Sequence, residues 1–156
     1  MRVVCLILFV LGALFVKAQQ GFTFTRFTTE DGSGLSSNVV SSIYQDPKGF
    51  IWVGTANGLQ RFDGSKFIQF GIGSGDPMPY SVVSQILPYE DGQLFLYFGA
   101  LHELGIFNPA NFSYKRIEVR TNKPFSPKSD YHLFRDSRGE FYLNIFHYNV
   151  LQFNKK

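Results

Sequence analysis

At 156 residues the chain has the length of one ordinary domain, and 17% charged against 44% hydrophobic residues argues against a disordered, solvated tail. Its 18 Phe, 8 Tyr and 1 Trp, with 15 Gly and 7 Pro for turns, favour strands over helices. The net charge of +3 includes Arg2 and Lys17; without residues 1–18 there are 13 basic and 12 acidic residues, which argues against a nucleic-acid surface.

Met1-Arg2 opens the chain with a positive charge, and 3–16 is an almost unbroken apolar run closed by Val16-Lys17-Ala18. This is the layout of a secretory signal peptide over residues 1–18. The run is too short for a membrane span, which needs about 20 apolar residues. The single cysteine, Cys5, lies inside it, so the exported part offers no disulfide, no cysteine-ligated zinc and no thiol nucleophile. No other stretch approaches spanning length. The expectation is an exported, periplasmic product.

Residues 19–35 read as an N-terminal strand and a junction, and beyond them the sequence repeats. The first unit, 36–79, carries strands at 39–44, 50–54, 59–62 and 66–70. The second, 80–128, carries them at 82–87, 94–98, 105–107 and 113–117. The third, 129–156, carries 131–134, 141–145 and 150–153 and is incomplete. Asp46, Asp91 and Asp136 mark the turn before each second strand. Asp46-Pro47-Lys48-Gly49 and Asp136-Ser137-Arg138-Gly139 have Asp first and Gly last, as type I turns prefer; Asp91-Gly92 reads as the same turn shortened by two. Asn57-Gly58 predicts a type I′ hairpin. Each second strand is apolar on both faces, which fits a sheet packed between neighbours. Four antiparallel strands at a period in the forties are the dimension of a propeller blade, and closed rings have about 4–8 of them. The predicted architecture is therefore all-β: a partial β-propeller of three four-stranded blades whose end faces want further blades of the same longer chain.

The segments Leu35-Ser36-Ser37-Asn38-Val39-Val40, Gly49-Phe50-Ile51-Trp52-Val53-Gly54-Thr55, Asn57-Gly58-Leu59 and Phe62-Asp63-Gly64 closely resemble the two-component regulator propeller repeat. Units two and three match more loosely: Phe95 and Tyr142 stand in place of Trp52, and Gly54-Thr55 has no equivalent. The resemblance covers about 22–154. It implies the N-terminal part of the periplasmic sensor region of a hybrid two-component histidine kinase. It also implies a dimer at full length and an oligosaccharide as ligand. The kinase itself is not in these residues, so the part present is expected to be non-enzymatic. By the same resemblance, 22–28 is the outer strand of the last blade of a full ring, and is unpaired here.

The repeat positions Asp46, Gly49, Trp52, Gly54, Gly58, Asp91, Phe95, Asp136, Gly139 and Tyr142 read as structural: turn-forming Asp and Gly, and rings between blades. No catalytic, cofactor-binding or metal-binding residue is assigned. His102-Glu103-Leu104 lacks the continuation of a phosphoacceptor motif, since Gly105-Ile106-Phe107 follows. His132 and His147 have neither cysteine partners nor ligand spacing. Ligand contacts are expected on loops 71–79, 100–103 and 121–128, where a rigid scaffold positions connecting segments. Two rival readings remain: a secreted propeller enzyme, lyase or glycosidase, acting on polysaccharide through carboxylates that converge on the axis, and a free-standing binding or scaffold module.

Overall fold

The computed structural model describes residues 21–73, 77–119, 131–145 and 149–153; the expected signal peptide lies outside them. Three antiparallel sheets follow in chain order. The first holds β1 (Val40–Gln45), β2 (Ile51–Thr55), β3 (Gly58–Phe62) and β4 (Phe67–Gln69). The second holds β5 (Val83–Pro88), β6 (Leu94–Phe98), β7 (Glu103–Asn108) and β8 (Ser113–Ile117). The third holds β9 (Tyr131–Arg135), β10 (Phe141–Ile145) and β11 (Asn149–Gln152). Within every sheet, strands consecutive in the chain are neighbours. The all-β expectation holds, with three antiparallel sheets among the described residues.

The first strands draw the sheets together. Backbone approaches between sheets run from β1 and β2 to β5, and from β5 to β9, so the sheets fan out from their first strands. Two apolar layers fill the wedges. Trp52 and Leu59 pack on Val83, Leu94, Leu96 and Phe107 between sheets one and two. Phe95, Tyr97 and Leu104 pack on Leu133, Phe141 and Leu143 between sheets two and three. Both faces of β6 are buried along its whole length, as its continuous apolar run requires.

Two turns depart from their sequence reading. The turn before β6 is not shortened, and Asp91 is not the counterpart of Asp46 and Asp136. The amide of Asp46 donates to Phe50 O, that of Asp136 to Glu140 O, and in sheet two it is Tyr89 that donates to Gln93 O. All three turns have five residues, and Asp91 sits inside its turn at φ 51. The aspartate spacing misleads because an Asp-Gly pair stabilises a left-handed kink equally well one or two residues further on. In the first hairpin, Thr55 pairs with Gly58, so Ala56 and Asn57 are the central residues. Neither has positive φ, whereas Gly58 has φ 104. This is a hairpin whose Gly takes the left-handed position after the two turn residues, not type I′.

Segment 21–28 joins no sheet, and Phe22 and Phe24 are 84% and 91% exposed. The end of this segment and the residues after it cover part of the free face of sheet one. Phe27 packs its ring on Phe62 and Phe67 at 5.0 and 5.5 Å. Ser33 O accepts from the Phe67 amide at the edge of β4, and Leu35 is buried. The opposite end is open: Phe134 and Val150 on sheet three are 57% and 65% exposed.

Candidate functional site

Antiparallel order puts the β2–β3, β6–β7 and β4–β5 connections at one end of the fan and the aspartate turns at the other. At the loop end of sheet one a buried polar network ties the N-terminal junction to the blade. Gln60 Oε1 accepts from both the backbone amide and Oγ of Ser36 at 2.9 Å, and its Nε2 donates to Gly34 O at 2.9 Å. Thr55 Oγ1 donates to Gly58 O at 3.0 Å, and Asn57 Nδ2 donates to Ser36 O at 2.7 Å. Buried amides and hydroxyls persist only when so paired.

The two seams near the first strands are built differently. In the first, Gly54 lets backbone meet backbone: a Cβ there would lie 2.3 Å from Val83 O. Ser41 Oγ donates to the same carbonyl at 3.1 Å. In the second seam Tyr97 occupies the place of Gly54, and side chains make the bridge. Tyr97 OH accepts from the Tyr131 amide at 3.2 Å. Gln85 Oε1 accepts from the Leu133 amide at 2.7 Å, and Gln85 Nε2 lies 3.0 Å from His132 Nδ1. His102, at φ 51, places Nδ1 3.5 Å from Tyr97 OH.

Trp52, Phe95 and Tyr142 are each the second residue of the second strand in their sheets. Trp52 and Phe95 are fully buried in the two wedges. Tyr142 occupies the corresponding place on the open face of sheet three, its ring 6.3 Å from that of Phe134, and is half-buried. Asp46 and Asp136 organise their turns alike: Oδ1 of Asp46 accepts from the Lys48 and Phe50 amides, and Oδ1 of Asp136 from those of Arg138 and Glu140. Asp46 alone also accepts from Trp52 Nε1, at 2.8 Å. Gly49 and Gly139 close the two turns at φ 89 and 86.

The aspartates are held as turn acceptors. Amide donors keep Asp136 and Asp63 below the ordinary carboxylate value, and Ser33 does the same for Asp31. Tyr114 is pushed the other way, mainly by burial and then by Glu103, whose Oε1 accepts from its hydroxyl at 2.8 Å. No group of three or more metal-ligating side chains occurs among the described residues. The described residues line at least two hollows. A cleft of about 750 Å³ opens between sheets two and three, lined by Phe95, Phe141 and Phe153 and by charges of both signs, Lys115, Arg116 and Arg138 with Glu90, Glu118 and Glu140. A groove of about 460 Å³ crosses the open face of sheet three past His132, Phe134, Tyr142 and Asn144. Loop 121–128 and His147 lie outside the described residues; of loop 71–79, Gly71 at φ 77 packs on the buried Met78. Sequence reasoning missed Tyr89, Gln85 and the Ser36–Gln60 network. Counting back five residues from each second strand, rather than spacing the aspartates, finds Tyr89.

Residues 34–57 match the family described as two component regulator propeller. A 62-residue stretch, 39% of the chain, is 48% identical to histidine kinase P4 of Formosa agariphila and spans 4% of that protein. Among solved structures, the extracellular domain of BT4673 from B. thetaiotaomicron, described as a hybrid two component system, aligns at TM-score 0.64 and 20% identity, over 85% of this chain and 18% of that one. The corresponding domain of BT3049 aligns at 0.57 and 23%, over 81% and 18%. Virginiamycin B lyase from Staphylococcus aureus aligns at 0.53 and 15%, over 82% and 43%. At these identities the solved structures establish the propeller-like fold.

Proposed function

We propose that this chain, which carries the two component regulator propeller repeat, is the beginning of an exported, periplasmic ligand-sensing propeller in a hybrid sensor histidine kinase. The chain spans 18% of the extracellular domains it resembles; in this reading further blades, the kinase and a dimeric arrangement are parts of the full-length sensor. The supporting observation is the repeat itself, whose motif residues do identifiable physical work. Trp52 fills the first wedge, Asp46 anchors it, and Gly54 admits the backbone of the next blade. The 48% identity to a histidine kinase over 62 residues points the same way.

The ligand we assign is an oligosaccharide, and the part present is a binding element, not a catalyst. Aromatic rings beside amides and hydroxyls suit the apolar faces and hydroxyl edges of a sugar. Calorimetric titration of the exported chain against neutral and anionic oligosaccharides tests binding. Autophosphorylation of the longer protein with and without the bound sugar tests signalling. A saturable heat with one glycan class and a matching change in phosphorylation is the expected result. No response in either assay over the whole panel would sink the reading.

A further inference from the structure

We propose that Gln85 and His132 form a proton-sensitive clasp across the seam between sheets two and three. The inference rests on geometry alone and stands apart from the sensing assignment.

Gln85 lies on β5 and His132 on β9, the first strands of their sheets. The amide of Gln85 cannot be turned at will. Its Oε1 accepts from the Leu133 backbone N–H at 2.7 Å, the shorter of its contacts, which leaves Nε2 as the atom facing His132 Nδ1 at 3.0 Å and Leu133 O at 3.5 Å. An Nε2 group only donates, so Nδ1 must be the bare, accepting nitrogen of the ring. The neutral imidazole therefore carries its proton on Nε2. When the ring becomes cationic both nitrogens carry protons, and two N–H groups confront each other where a hydrogen bond had been. Imidazole is the side chain that changes charge between about pH 5 and 8.

The surroundings let this exchange act on the seam. β5 presents the neutral Gln85 to the ring, β10 presents Asn144 beside it, and β11 presents Val150. Asp136 and Tyr142 are the titratable groups lining the same groove. Among the described residues the first seam is bridged without an imidazole: there Ser41 and Ser42 hydroxyls donate directly to Val83 O. Acidification thus loosens the second seam and spares the first.

Hydrogen exchange of the Leu133 amide, corrected for intrinsic pH dependence, reads the clasp through Oε1 of the same Gln85 side chain, which is freed to turn when Nε2 loses its acceptor. Loss of one hydrogen bond predicts a protection factor about threefold to tenfold lower at pH 5 than at pH 8. In H132Q, whose amide oxygen accepts at any pH, that dependence disappears. In Q85E, whose carboxylate accepts from both Leu133 and a cationic ring, it reverses sign. Nitrogen-15 shifts of His132 at pH 8 give an independent check and must show the Nε2–H form. An Nδ1–H ring at pH 8, or Leu133 protection that does not change with pH in the unsubstituted chain, overturns the proposal. So does an H132Q variant that keeps the wild-type dependence.

Discussion

Gly54 offers the sharpest test of how neighbouring blades are spaced. Substituting alanine puts a methyl carbon 2.3 Å from Val83 O, 2.4 Å from Ser42 Oγ and 3.1 Å from Val83 Cγ1. The serine hydroxyl can rotate away, but the carbonyl is backbone in β5 and already accepts from Ser41 and Ser42. An ordinary contact needs about 3.4 Å or more, so β5 must recede by roughly 1 Å and take Val83, Ile86 and the wedge around Trp52 with it. Overpacking of this kind costs about 1–3 kcal/mol. Urea unfolding followed by fluorescence of Trp52, the only tryptophan, reads the loss in the wedge that is disturbed. Gly73, with ordinary φ and nothing within 4 Å, serves as control; G73A should be neutral or gain about 0.4–1 kcal/mol. A G54A chain as stable as G73A would refute the close approach of β2 to β5 and the spacing of the fan with it.

Removing the Asp46 carboxylate leaves Trp52 Nε1 and the amides of Lys48 and Phe50 without their acceptor, so D46A should lose about 2–4 kcal/mol in the same assay. W52F keeps an aromatic ring but not the indole hydrogen bond and should lose less than W52A, for which about 3–5 kcal/mol is expected, both read by circular dichroism because the variants remove the fluorophore. At acid pH the lowered values of Asp31, Asp63 and Asp136 mean that their stabilisation is present above the ordinary value of 3.8 and is lost as pH falls below it; a denaturation series from pH 6 to 2 should show decline concentrated below about pH 4. At the alkaline end the raised value of Tyr114 keeps its contribution complete below 10.0 and erodes it above; ultraviolet titration should show at least one phenol still neutral when exposed tyrosines have ionised. The open apolar face of sheet three should drive self-association, and F134K with V150K should reduce light scattering without lowering the unfolding midpoint.

The strands were legible because alternation, aromatic runs and turn residues agree at each of them. Ile51–Thr55 and Leu94–Phe98 could hardly be anything but buried strands. What the letters concealed was register and long-range pairing. Asp91 imitates the turn aspartates, but the ladder that aligns Pro88 with Leu94 makes Tyr89 the first turn residue. Asn57-Gly58 has the composition of one turn and the geometry of another, because the pairing of Thr55 with Gly58 places the centre one residue earlier. Gln60 reads as a polar residue in a strand; its burial makes sense only once Gly34 and Ser36 fold over it. The clasp of Gln85 with His132 joins residues 47 positions apart and leaves no local trace.

The replacement of Gly54 by Tyr97 at the corresponding place gives the molecule unequal joints. Sheets one and two meet through main chain with too little clearance for a methyl group, so any sliding meets steep repulsion. Sheets two and three meet through long side chains that can pivot about their bonds while keeping their partners. A pull on the outer end of the fan is expected to be taken up first at the second joint, with the first pair following as one plate. Force, heat or a docked molecule acting on sheet three would be felt as a swing about Gln85 and Tyr97, long before Trp52 registers any change.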